Sequence, residues 1–73
     1  HLDFVIYPNP ANGSFWLTVP LGSQIEVINV LGQKIEHRTA EQTKERFVMN
    51  KTGVYIVILR QGKSVSTERV IIR

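Results

Sequence analysis

The segment Ser14-Phe15-Trp16-Leu17-Thr18-Val19 decides the fold class, because its apolar residues recur at every second position. Phe15, Leu17 and Val19 share one face of an extended chain, while the polar residues and Trp16 share the other. A period of two is typical of a half-buried β-strand, whereas an amphipathic helix has a period near 3.6. We therefore expect an antiparallel strand that places Phe15 and Leu17 in the core.

The same alternation extends to the rest of the chain. It returns over residues 24–30, where Val27 is expected in the core, and Leu31-Gly32 predicts a tight reversal into a strand over 33–38. The nearly continuous apolar run 54–59 predicts a central strand buried on both faces, with Ile56 and Ile58 in the core. Further strands are expected over 4–7, 46–49 and 64–72. Seven strands separated by turn residues at roughly 8–12-residue spacing predict an all-β fold, a seven-stranded immunoglobulin-like antiparallel β-sandwich.

The length of 73 residues predicts a single domain, 1–73, with its core over about 4–73. The chain is 42% hydrophobic and 21% charged, which is an ordinary globular balance. Its longest apolar runs are far shorter than the ~20 residues of a membrane-spanning helix, so no membrane span is expected. It contains no cysteine. This absence favours a bacterial or intracellular setting, or a piece of a larger chain, over a disulfide-stabilised secreted domain.

The net charge of +3 is concentrated at the C-terminal end. From residue 60 onward the charged residues are Arg60, Lys63, Arg69 and Arg73 against Glu68 alone. Such cations near Trp16 and Tyr55 could form a nucleic-acid-binding face. The simpler interpretation is that the cations are solvated turn and terminal residues and that the aromatic rings are buried or half-buried, so no nucleic-acid partner is expected.

The sequence offers little for catalysis. Asp3 is the only aspartate, and His37 stands between Glu36 and Arg38 without a motif for a nucleophile or a phosphate loop. Two histidines without a spaced acidic cluster make no metal-ligand set. We expect no enzyme activity, no metal and no cofactor.

Alternating charges mark the segment after the predicted Leu31-Gly32 reversal. Lys34, Glu36 and Arg38 fit an edge strand, which charged side chains protect from pairing with another chain. We therefore expect a monomer or a weak dimer.

Four segments together resemble one known family. The opening motif Val5-Ile6-Tyr7-Pro8-Asn9-Pro10-Ala11-Asn12-Gly13 is similar to the start of the C-terminal sorting domain of the Bacteroidota type IX secretion system. Residues 27–35 resemble its middle strand-turn-strand, and Met49 with Thr52-Gly53-Val54-Tyr55-Ile56-Val57 resembles its glycine-aliphatic-tyrosine strand. Gly62 and Thr67-Glu68-Arg69-Val70-Ile71-Ile72-Arg73 resemble its terminal strand, although the family usually has lysine where Arg69 stands.

This resemblance implies an export signal rather than an activity. The family's domain ends a larger secreted protein, is recognised by the export machinery in the periplasm, and crosses the outer membrane with its N-terminal cargo. A surface sortase then typically removes the domain, and the cargo stays at the cell surface or is released. The implied partners are the outer-membrane secretion machinery, the sortase and the cargo domain. The recognition residues that the resemblance implies are Tyr7, Pro8, Asn9, Pro10, Gly13, Gly53, Tyr55, Gly62, Arg69, Val70, Ile71, Ile72 and Arg73.

One alternative stays open at this point. A non-catalytic adhesive or carbohydrate-binding sandwich module of a surface protein would have the same fold class. Such a module needs an exposed aromatic platform or an acidic calcium-binding cluster. Trp16 supplies part of the first.

Overall fold

A computed structural model describes residues 4–73 as seven antiparallel strands in two sheets. Residues 1–3, and with them Asp3, lie outside the described part. A three-stranded sheet has the order β1-β2-β5, and a four-stranded sheet has the order β4-β3-β6-β7. The strands are β1 (Val5–Tyr7), β2 (Ser14–Thr18), β3 (Gln24–Asn29), β4 (Lys34–Thr39), β5 (Lys44–Val48), β6 (Gly53–Gln61) and β7 (Ser64–Ile72). The predicted all-β sandwich is confirmed, and β5 begins two residues earlier than expected.

The core lies between the two sheets, where every second residue of each central strand is buried. Phe15 and Phe47 come from β2 and β5 and stack with their ring centroids 5.3 Å apart. The four-stranded sheet contributes the facing side chains Ile25, Val27, Tyr55, Val57, Leu59, Val70 and Ile72. The predicted burial of Phe15, Leu17 and Val27 is confirmed, since each is 0% exposed.

The predicted choice of the buried face of β6 is wrong. Ile56 and Ile58 are only partly buried, whereas the odd-numbered residues of the strand fill the core. Ile56 lies opposite Ile28, and Ile58 lies opposite Glu26, on the outer face of the four-stranded sheet. A continuous apolar run does not show which alternate set faces inward, and only the pairing with β3 and β7 decides it.

Glycines begin or connect several strands, and the predicted reversal at Leu31-Gly32 is one of these turns. Gly13, Gly32, Gly53 and Gly62 all have positive φ angles, of 83°, 83°, 146° and 61°. Gly32 completes the β3–β4 hairpin, in which the Gly32 N–H donates to the Asn29 carbonyl and the Asn29 N–H donates to the Gln33 carbonyl, each at 3.0 Å. A type I turn followed by a glycine of positive φ is a common three-residue hairpin loop.

Candidate recognition site at the terminal strand

The opening motif and the terminal strand lie side by side, although 60 residues separate them in sequence. Asn9 Nδ2 donates a hydrogen bond of 2.8 Å to the carbonyl of Arg69, and Asn9 Oδ1 accepts one of 3.1 Å from the backbone N–H of Ile71. Ala11 continues this pairing, donating to the Ile71 carbonyl and accepting from the Arg73 N–H, both at 2.8 Å. Ala11 and Ile72 form a parallel bridge. The two segments thus form one structural unit.

The proline residues explain why a side chain takes part in this pairing. Pro8 and Pro10 have no backbone N–H, so this segment cannot form a regular ladder with a neighbouring strand. The side-chain amide of Asn9 has one donor and one acceptor group, as a peptide unit does. It therefore pairs with the backbone carbonyl and N–H groups on the outer edge of β7. The Tyr7–Pro8 and Asn9–Pro10 peptide bonds are both cis. Across this segment the chain leaves the three-stranded sheet and joins the edge of the four-stranded sheet.

The five terminal residues divide between the core and the surface. Val70 and Ile72 are 0% and 3% exposed, and they lie opposite Tyr55 and Gly53 of β6. Arg69 is exposed, and Ile71 is 36% exposed on the outer face of the sheet. Arg69 and Ile71 are therefore accessible on the surface of the folded domain, whereas Val70 and Ile72 belong to the core.

A row of side chains crosses the outer face at the level of Arg69. The register aligns Lys34 with Ile28, Ile28 with Ile56, and Ile56 with Arg69, so two isoleucines lie between two cations. Val54 and Ile71 form the next pair towards the end of the sheet. No strand of the described residues covers this face. The outer face thus combines partly exposed aliphatic side chains with basic ones.

Glu26 is the acidic side chain of the same face, and it is engaged by cations. Its carboxylate lies 2.9 Å from Lys34 Nζ and 3.4 Å from Arg60 Nε. The hydrogen bond from Lys34, with a smaller contribution from Arg60, holds the pKa of Glu26 below its ordinary value of 4.5. Within residues 4–73, no salt bridge links Arg69 to an acidic side chain.

Other residues of the predicted recognition set are buried in the core or lie in turns between strands. Tyr55 is 7% exposed, and its hydroxyl donates to the Lys51 carbonyl at 2.8 Å. The Gly13 carbonyl accepts from the Met49 N–H at 2.8 Å. Gly62 lies in the β6–β7 loop, at the far end of β7 from Arg73. The structure brings Pro8–Pro10, Gly53 and Tyr55 to the terminal residues, whereas Gly62 lies at the opposite end of β7 and Tyr7 pairs with Trp16 in the other sheet.

An exposed aromatic pair occupies the outer face of the other sheet. Tyr7 and Trp16 are opposite each other on β1 and β2, and they are 38% and 36% exposed. Lys44 Nζ lies 4.8 Å from the Trp16 ring centroid and 5.7 Å from that of Tyr7. Arg46 lies opposite Trp16 on β5. Trp16 is therefore not buried in the core. It forms part of an exposed surface with Tyr7, Lys44 and Arg46.

Arg38 joins the edges of the two sheets on the side away from β1 and β7. Its guanidinium contacts Glu36 closely, donates to Glu45 Oε1 at 3.1 Å and to the Arg46 carbonyl at 3.1 Å, and lies 3.9 Å from the Phe47 ring centroid. Burial raises the pKa of Glu45, but hydrogen bonds from Arg38 and from the N–H groups of residues 41 and 42 outweigh it and hold the pKa below its ordinary value. Inward-facing charges on an edge strand oppose pairing with another chain.

A shallow pocket of about 300 Å³ lies beside this edge. Its walls come from β4, the end of β5, the following turn and β6, and they are formed by Ile35, Glu36, Val48, Met49, Asn50, Lys51 and Tyr55. Over residues 4–73, no three side chains of the His, Cys, Asp or Glu type are grouped to share a metal ion. The same residues include no helix long and apolar enough to cross a membrane.

The pairing of Asn9 with the terminal strand was not predicted from the sequence. A signal for it exists in retrospect, because an asparagine between two prolines has few neighbouring backbone donors and its side chain becomes the local donor. The partner strand could not be read from that signal. Only the sandwich topology places β7 beside the proline segment.

Comparison with known proteins agrees with this architecture. The sequence profile of the family described as "Secretion system C-terminal sorting domain" matches residues 5–73. Among solved structures, the chain is similar to PorZ, a surface component of the type IX secretion system of Porphyromonas gingivalis, with a TM-score of 0.84 and 15% sequence identity. The match covers 96% of this chain and 11% of the PorZ chain. No curated protein matches the sequence.

Proposed function

Because this chain belongs to the family of secretion system C-terminal sorting domains, and so carries a type IX secretion signal, we propose that the export machinery reads the outer face of its terminal strand. The family assignment implies export to the cell surface or the extracellular space. We place this recognition in the periplasm, before the domain and its cargo cross the outer membrane. A surface sortase then removes the domain from the cargo. A sorting tag of this kind is non-catalytic.

The pairing of Asn9 with β7 is the observation that carries this proposal. It holds the last residues of the chain in a regular strand, so that Arg69 and Ile71 face outward in a defined geometry. The domain spans 1–73 in this proposal and follows an N-terminal cargo in a longer secreted chain. The proposed roles of the other recognition residues are then structural: Tyr55, Val70 and Ile72 support the strand from the core.

The test is export of a periplasmic reporter fused to the N-terminus of this domain, in a strain with the type IX machinery. Arg69→Ala with Arg73→Ala should reduce export while the melting temperature stays close to that of the parent, because exposed charges contribute little to stability. Arg60→Ala with Lys63→Ala removes the same charge from the β6–β7 hairpin, at the opposite end of the sheet, and should leave export normal. Normal export after deletion of residues 67–73 would refute the terminal strand as the signal.

A second candidate function is favoured by the Tyr7–Trp16 pair. Exposed aromatic side chains with an apolar face and a polar tip are suited to contacts at wet surfaces, which is the requirement of a carbohydrate-binding module. Lys44 and Arg46 add charge that would suit an acidic saccharide. Titration of the isolated domain with acidic and neutral polysaccharides, comparing the parent with Trp16→Ala, tests this candidate. Equal binding of the parent and of Trp16→Ala to each polysaccharide would exclude this second function.

A further inference from the structure

The tip of the β3–β4 hairpin exposes two large apolar side chains. Val30 and Leu31 are 74% and 80% exposed, which makes them the most exposed large hydrophobic residues of the described part of the chain. Hairpin tips usually carry polar residues or glycine, because their backbone is open to water. Two adjacent aliphatic side chains at such a tip have no role in the core.

The turn itself does not depend on these side chains. Asn29 Oδ1 accepts hydrogen bonds of 3.0 Å from the N–H groups of Leu31 and Gln33, and Asn29 Nδ2 donates to Gln33 Oε1 at 2.7 Å. With the two backbone bonds that close the loop, this network holds the tip in one conformation. Val30 and Leu31 are therefore presented on a rigid support, which reduces the entropy lost on binding.

The tip and the end of the terminal strand lie at the same end of the four-stranded sheet, with β6 between β3 and β7. Asn29, which precedes the tip, is opposite Tyr55, and Gly53 at the start of β6 is opposite Ile72 near the end of β7. The hairpin tip and the chain end thus lie at the same end of the four-stranded sheet. The intervening outer face carries partly exposed aliphatic side chains from three strands, namely Ile28, Val54, Ile56 and Ile71.

We infer that Val30, Leu31 and the row Lys34–Ile28–Ile56–Arg69 form one docking surface for a protein subunit of the export machinery. The occupant has an apolar depression for the tip and an acidic group that meets Arg69, because the aliphatic centre of the surface ends at Arg69 on one side, whereas Lys34 on the other side is paired with Glu26. Exposed aliphatic patches with charged rims are typical of protein interfaces. This inference rests on the proposed export function and extends it to a second segment of the chain.

The test uses the same reporter fusion with a tip variant that suits the turn. Val30→Thr with Leu31→Asn removes the apolar contact and keeps residues that a hairpin loop tolerates. We expect export to fall about tenfold or more, the effect of losing an interface anchor, while the melting temperature changes by less than about 2 °C. Leu21→Asn is the matched control, because Leu21 is 59% exposed in the turn before β3, at the other end of the sheet.

A charge-reversal variant provides an independent arm. Arg69→Glu should lower export further than Arg69→Ala, since it places acid against the acidic group of the partner, while the melting temperatures of both variants should stay close to that of the parent. Failure of the parent fusion to be exported would refute the export function itself. Normal export from the parent and from the folded tip variant would overturn only the present inference.

Two other occupants of the surface give distinct outcomes. Sedimentation of the isolated domain would reveal a dimer that Val30→Thr with Leu31→Asn abolishes, and this result would assign the surface to a second copy of the chain. Flotation with vesicles of mixed zwitterionic and anionic phospholipids would reveal membrane binding lost in the same variant. Either result would overturn the assignment to an export subunit, whereas a monomer that does not bind vesicles supports it.

Discussion

The side-chain amide of Asn9 takes the position of a backbone peptide beside Ile71, accepting its N–H at 3.1 Å while donating to the Arg69 carbonyl at 2.8 Å. Both hydrogen bonds serve the same edge of β7. The opening motif therefore stabilises the far end of the chain, and a change in either segment is expected to affect the other.

Replacement of Asn9 should destabilise the domain by loosening the terminal strand. Asn9→Ala removes two hydrogen bonds, each contributing about 0.5–1.5 kcal/mol, so we expect a loss of about 1–3 kcal/mol in the free energy of unfolding. Asn9→Asp keeps the acceptor for Ile71 but brings a carboxylate to the Arg69 carbonyl, and it should not recover the loss. Urea unfolding measures the change, and faster hydrogen exchange at Ile71 would localise it. Unchanged protection at Ile71 in Asn9→Ala would contradict this role.

Arg38 should contribute more to stability than an ordinary surface arginine. Its guanidinium lies over Phe47 and bonds to both sheet edges, so Arg38→Ala removes a cation–π contact and leaves Glu45 without its charged partner. We expect a loss of about 2 kcal/mol. Arg38→Lys keeps the charge but not the planar fork, and its stability should lie between the two. Thermal unfolding of the parent, Arg38→Lys and Arg38→Ala measures this order of stability. Equal stability of the alanine and lysine variants would exclude a contribution from the charge.

Stability should fall as the pH is lowered through the acidic range. Glu26 and Glu45 have pKa values below the ordinary 4.5, so the folded state releases their protons more readily than the unfolded state does. The stabilisation is complete above that ordinary value and is lost as the pH falls through the lower pKa of the folded state. Urea unfolding between pH 7 and pH 3 measures the slope. Glu45→Gln should be less stable at neutral pH and should show a shallower acid loss; a slope equal to the parent's would count against Glu45.

Gly32 should be sensitive to any side chain because of its backbone conformation alone. Its φ of +83° disfavours L-residues, and nothing lies within 4 Å of a Cβ built there. Gly32→Ala should cost about 1–2 kcal/mol from strain alone, and Gly32→Asn should cost less, because asparagine tolerates the left-handed region. Chemical denaturation compares the two variants. Similar losses for both would indicate that something other than the φ angle limits this position.

Much of the fold followed from local residue patterns. The alternation of Phe15 and Leu17 with polar neighbours, and the turn at Leu31-Gly32, depend only on the period of two of a strand and on the geometry of a hairpin. The local pattern did not show which of the terminal residues are buried and which are exposed. Val70, Ile71 and Ile72 are equally apolar, and the pairing of β7 with β6 decides that Ile71 is the exposed one.

The sequence by itself determined the class of the protein, an all-β sandwich of the sorting-domain type, because strand periodicity, turn residues and the order of the motifs are local properties. Only the tertiary structure decided which face of β6 is buried, placed Asn9 against the terminal strand, and brought the Val30–Leu31 tip to the same end of the sheet as Arg69 and Ile71. These relationships join residues that lie about 30 to 60 positions apart. They arise from strand order and register, which the burial of one face of each sheet selects across the whole domain.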